Sequence, residues 1–145
     1  MRTLIIGFGN TLRGDDGFGR RAAERLRDVV DDPEIEILSL HQLTPELMDP
    51  VSRAERVIFL DAAAGPDPGE IAATALEEGD APSGFTHFAT PAALLAGARM
   101  LYGRSPSAML ITVTGASFEL GDVLSEPVER AVQSLVSSRL RPWIF

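Results

Sequence analysis

An α/β fold, a three-layer sandwich with a mostly parallel twisted sheet of about five strands and helices on both faces, is predicted by two observations. Short apolar runs of β-leaning residues alternate along the chain with stretches whose apolar positions recur at helical spacing. The strand runs are continuous rather than alternating, as in strands covered on both faces. No linker, internal repeat or low-complexity tract breaks the alternation, so residues 1–145 read as one domain, long enough to bury a core.

The first run, Thr3 to Phe8, stops at Gly9 and Asn10 and reads as a buried strand feeding a turn. Asp15-Asp16-Gly17 follows the turn. Phe18, Ala22, Leu26, Val29 and Val30 then recur at helical spacing between Arg20, Arg21, Glu24, Arg25 and Asp28, the pattern of a helix with one face on a sheet. That helix is expected to end near Asp31-Asp32-Pro33, because proline disfavours helix at and before itself. Glu34 to Leu40 is the second strand. Thr44 and Pro45 carry a cap-then-proline signal for a short helix from Glu46 to about Ser52. Arg56 to Leu60 is a third buried strand ending at Asp61, and Gly65, Pro66, Pro68 and Gly69 mark a turn-rich loop. Glu70 to Leu76 is a fourth strand, suited to an edge. Glu77 to Phe88 is polar and irregular, and His87 lies near its end. Thr90-Pro91 repeats the cap signal and opens a helix through Leu94, Leu95, Ala98 and Leu101. Ser107 to Thr114 is the fifth strand, Gly115 to Ser125 a loop, and Glu126 to about Leu140 the last helix.

Composition excludes several functions. A net charge of −8 argues against nucleic acid, whose phosphates demand a basic face. No apolar run approaches the roughly 20 residues of a membrane span, and the start lacks a cleavable signal pattern, so a cytoplasmic protein without a membrane partner is expected. With no cysteine there is no disulfide, no thiolate metal site and no cysteine nucleophile. A metal would have to be held by Asp, Glu or His, and there are only two histidines.

In an open α/β sheet, ligands bind at the carboxyl ends of the strands. Asp16 follows strand one, His41 follows strand two, Asp61 ends strand three and His87 precedes a helix, so the four are expected on one rim. A dinucleotide turn wants a third glycine where Leu12 stands, a phosphate loop wants a lysine that is missing, and two aspartates would repel phosphate. An acidic site for a metal ion or a protonatable group fits better. Two carboxylates and an imidazole form a plausible ligand set for a divalent first-row metal, with positions left for substrate groups. Plainer roles stand beside this one: an aspartate capping the first helix, Asp61 accepting loop amides, His87 as polar surface, and His41 packing over a helix start.

Gly7-x-Gly9-Asn10-x-Leu12-x-x-Asp15-Asp16-Gly17-x-Gly19, then a strand ending Asp61-Ala62, then a histidine before a helix, resembles the hydrogenase maturation endopeptidases. The likeness runs along nearly the whole chain, including Gly115 and Gly121-x-x-Leu124-Ser125 ahead of the last helix. It implies an endopeptidase that removes a C-terminal peptide from the large-subunit precursor of a nickel-iron hydrogenase. It also implies that Asp16, Asp61 and His87 contact nickel, which the precursor supplies, so that the site of the free enzyme can be empty until the substrate arrives. Asn10, Asp15 and His41 are expected to contact the substrate. His41-Gln42-Leu43-Thr44-Pro45 departs from the glycine-rich loop that many members carry after strand two. The reading from a different class is a non-catalytic module that recognises a metal-loaded partner protein. Neither a Ser-His-Asp spacing nor a His-Glu-x-x-His helix is present.

Overall fold

The computed structural model describes residues 2–79 and 89–140. Five strands form one sheet: β1 (Thr3–Phe8), β2 (Ile35–Leu40), β3 (Arg56–Ala63), β4 (Ile71–Leu76) and β5 (Ser107–Thr114), in the order β2-β1-β3-β5-β4. The pairings among β2, β1, β3 and β5 are parallel, and β4 runs antiparallel to β5 at the edge. Helices α1 (Phe18–Val29), α2 (Met48–Arg53), α3 (Pro91–Tyr102) and α4 (Glu126–Ser137) cover both faces. No helix among the described residues is long and apolar enough to cross a membrane.

The period-two alternation of strand side chains divides the core in two. Ile5, Ile58, Leu60, Ile111 and Val113 pack with Phe18, Ala22 and Leu26 of α1 and Val128, Val132 and Leu135 of α4. Leu4, Ile6, Val57 and Phe59 face the other way, onto Met48 and Val51 of α2 and Leu94, Leu95 and Ala98 of α3. Burial on both faces is why these strands read as unbroken apolar runs.

Several boundaries differ from the sequence expectation. The acidic pair lies in a separate 3-10 turn, Gly14–Gly17, that precedes α1. Helix α1 closes at Val29 with Val30 already extended, because Asp32 builds its own turn and accepts the Glu34 N–H at 2.9 Å. Thr44 makes no side-chain cap, and a 3-10 turn Pro45–Leu47 leads into α2. Thr90 does cap α3, with its hydroxyl oxygen 3.1 Å from the Ala93 N–H. Strand β3 continues to Ala63 because β5 pairs with it that far, so Asp61 lies inside a strand, opposite Thr112. Helix α4 ends at Ser137, and the Leu140 N–H closes back on the Leu135 carbonyl.

Strand β1 lies between β2 and β3. The chain leaves β1 through α1 on one face and reaches β3 through α2 on the other. That reversal opens a crevice between the carboxyl ends of β1 and β3, the switch point where open α/β sheets meet their ligands.

Candidate active site

Glycines bring the two carboxylates to this crevice. A Cβ on Gly19 would lie 2.2 Å from the Leu60 carbonyl oxygen and 2.6 Å from that of Phe8, and one on Gly7 would lie 1.9 Å from the Gly19 oxygen. The first turn of α1 therefore rests directly on the backbones of β1 and β3, as no larger residue allows. Gly9, at φ +145°, passes beneath Asp16, whose carbonyl oxygen a Cβ would meet at 2.0 Å. The Asn10 N–H donates to Asp16 Oδ2 at 2.7 Å, and Asn10 Oδ1 accepts the Leu12 N–H at 2.9 Å. Asn10 thus shapes the turn and orients the Asp16 carboxylate.

Asp61 comes to the same place from β3. Burial pushes its pKa up from 3.8 to about 6, the Ala62 N–H opposes that rise, and the negative charge of Asp16 adds to it. The two aspartates therefore feel one another, a like-charge pair with one member tuned to titrate near neutrality. The sign of the linkage follows. An aspartate whose folded pKa is raised holds its proton more tightly when folded, so its cost to stability is absent below about 3.8 and complete above about 6. Asp61→Asn is expected to be more stable than the parent at pH 7, by about 1–2 kcal/mol after allowance for solvent screening, and close to it at pH 3.5. Melting both proteins across that range checks the assignment, and an advantage for the variant that does not grow with pH refutes it.

Asp15, expected at the substrate, belongs to the interior. It is 1% exposed. Its Oδ1 accepts the Ser125 N–H at 2.7 Å, and its Oδ2 accepts the Ser125 hydroxyl at 2.7 Å and the N–H groups of Ala116 at 2.7 Å and Ser117 at 3.2 Å. Burial alone would raise its pKa, but these bonds, led by those from Ser125, hold it below the ordinary value. With its oxygens saturated, Asp15 ties the β1 turn to the segment before α4. Its aspartate character was legible in sequence, but its partners, a hundred residues away, were not. Gly115 and Ser125 were visible only as spaced landmarks.

His41 stands exposed just past β2, where the Leu40 carbonyl accepts the Gly9 N–H at 3.2 Å. Among the described residues, no three His, Asp or Glu side chains are grouped to hold a metal ion, so His41 does not complete a ligand set with Asp16 and Asp61. His87, the expected third ligand, lies outside the described residues. A hollow of about 590 Å³ opens beside Thr3, Ile35 and Arg56 at the amino ends of the strands, on the opposite rim from the carboxylates.

Fold and rim define a class: open α/β proteins with a 2-1-3 strand order and paired carboxylates at the switch point. No family model matches the sequence, and no match to it was found among curated proteins. Solved structures are. The NiFe hydrogenase maturation protease HycI from Thermococcus kodakarensis superposes with a TM-score of 0.78 at 26% identity, over 99% of this chain and 93% of its own. The hydrogenase maturating endopeptidase HybD from E. coli gives 0.77 at 25% identity, over 97% and 90%. A hydrogenase 2 maturation peptidase from a Thaumarchaeota archaeon gives 0.71 at 27%, over 97% and 96%. Within its class, the chain is similar over nearly its whole length to these hydrogenase maturation endopeptidases.

Proposed function

We propose that this protein is a processing endopeptidase of the cytoplasm, which removes a C-terminal peptide from a nickel-loaded hydrogenase large-subunit precursor. The observation that carries the reading is the pairing of Asp16 and Asp61 at the switch point of a fold shared with maturation proteases. Nickel arrives as part of the substrate, and Asp16 and Asp61 contact it together with His87. Hard carboxylate oxygens with an imidazole suit a divalent ion that already holds other ligands in the precursor. Such an ion supplies Lewis acidity to a nearby carbonyl or water. Asp16, fixed by the Asn10 N–H, presents its carboxylate in one orientation. In the free protein burial and the charge of Asp16 hold the Asp61 carboxyl up at about 6, so a cation arriving between the two carboxylates relieves their repulsion. Asn10 and His41 contribute substrate contacts from the same rim.

The test is to incubate a nickel-charged large-subunit precursor with the parent protein, Asp16→Asn and Asp61→Asn, and to follow loss of the C-terminal peptide by mass spectrometry. Each substitution is expected to slow processing by about 100-fold or more with the fold intact. Unchanged rates in both variants would remove the carboxylates from the reaction. Binding of the precursor without cleavage by the parent would instead identify a non-catalytic recognition module.

A further inference from the structure

Outside the acidic pair, the same rim carries an apolar patch that no packing explains. Leu12 is 61% exposed, Leu120 79% and Val123 76%. They are distant in sequence, yet one backbone ladder joins them: the Gly121 N–H donates to the Leu12 carbonyl at 2.9 Å, and the Gly14 N–H donates to the Gly121 carbonyl at 2.8 Å. The Asp15 carboxylate ties the two loops together from below, through Ala116, Ser117 and Ser125. The loops are thus held in place while presenting large aliphatic side chains to water, the arrangement of a preformed contact surface rather than of scattered surface residues.

A hollow of about 350 Å³ lies between the loops, bounded by Leu120, Val123 and Leu124, with Glu119 and Asp122 on its wall. Neither of those carboxylates is in an ion pair among the described residues. Arg21 reaches Asp122, but donates to its backbone carbonyl at 3.1 Å. Gly14 and Asp15, which line the hollow, belong to the same 3-10 turn, Gly14–Gly17, that carries Asp16.

We infer that Leu12, Leu120 and Val123 form a docking subsite for the protein substrate, one that takes an aliphatic side chain flanked by a Lys or Arg. The aliphatic group fills the hollow and the cation meets Glu119 and Asp122. This rests on the processing reading above, because the occupant is a segment of the same precursor. The subsite sets which precursor is held; the carboxylate pair acts on it.

The probe is the nickel-charged large-subunit precursor, used with the parent, Leu120→Asp, Val123→Asp, Leu120→Ile and Asp61→Asn. Both binding and peptide release are followed, at low and at high salt. Leu120→Asp and Val123→Asp are expected to raise KM by about tenfold or more with kcat little changed, the loss corresponding to one aliphatic side chain left unburied. Leu120→Ile should restore most of the affinity, and high salt should weaken binding to the parent. Because both side chains are exposed, melting temperatures should match the parent, which separates lost docking from lost fold. If the aspartate variants process with the parent's KM while Asp61→Asn is inactive, the docking inference falls and the processing reading stands. If the parent binds without cutting and the aspartate variants do not bind, the subsite stands and the processing reading falls. If the parent neither binds nor cuts, both fall.

Discussion

Asp15→Ala is expected to lower the unfolding free energy by about 3–5 kcal/mol, a large part of the whole for a domain of this size. The substitution leaves the N–H groups of Ala116, Ser117 and Ser125 and the Ser125 hydroxyl facing a gap where a carboxylate accepted all four bonds. Hydrogen bonds to a charged group contribute roughly 1.5–3 kcal/mol each, and partial entry of water lowers the sum. Asp15→Asn should recover only part of the loss, since its NH2 group must point at donors on one side. The contribution has a definite pH sign. Because the folded pKa lies below 3.8, the stabilisation is complete at neutral pH and is lost as pH falls through that lowered value. Denaturant melts of parent and variants measure this directly. A change of less than about 1 kcal/mol would show that the network is not what joins the β1 turn to the segment before α4. Asp16→Asn, by contrast, keeps an acceptor for the Asn10 N–H and should melt close to the parent. Two neighbouring aspartates are thereby divided, one holding the rim together and one held by Asn10 beside Asp61.

Gly19→Ala is expected to cost about 3 kcal/mol or more, or to prevent folding. The added methyl would meet the carbonyl oxygens of Leu60 at 2.2 Å and Phe8 at 2.6 Å, and its next contact is the Phe8 nitrogen at 2.8 Å. These are backbone atoms in the two central strands and have no rotamer to change, so α1 must lift from the sheet. Lifting α1 lets water reach Asp61, whose burial is the main cause of its raised pKa, and moves the turn that carries Asp16 away from it, so the Asp61 pKa should fall back toward its ordinary value in any folded fraction. Gly103→Ala is the control. Gly103 ends α3 at φ +73° with nothing within 4 Å of its would-be Cβ, and its loss should cost only the backbone strain of about 1 kcal/mol. Equal melting points for the two alanine variants would mean that the close approach of α1 to the sheet does not constrain position 19.

Much of this molecule was legible in one dimension. The five strands appear where the sequence predicted them, and β5 spans the expected residues; in β1 and the middle of β3, burial on both faces leaves a run with no polar interruption. Thr90 with Pro91 marked a real cap, since an N-cap is a local bond between residues three apart. The motif of the first turn located Asp16 just past β1, and the third apolar run located Asp61 toward the carboxyl end of β3, because the carboxyl rim is a property of chain direction in a parallel sheet.

What the sequence alone determined is the set of elements, their order and the carboxylates at their ends, all set by periodicity and local chemistry. Only the tertiary structure decided how those carboxylates differ. Asp15 and Asp16 are the same residue in adjacent positions. One turns inward to three amides and a hydroxyl supplied by residues 116–125, and the other turns out beside Asp61. The extension of β3 past Asp61, the antiparallel edge strand and the apolar patch of Leu12, Leu120 and Val123 were likewise decided by pairing across the chain. The physical reason is the same in each case: hydrogen-bond partners and burial come from neighbours in space, and a linear pattern does not contain them.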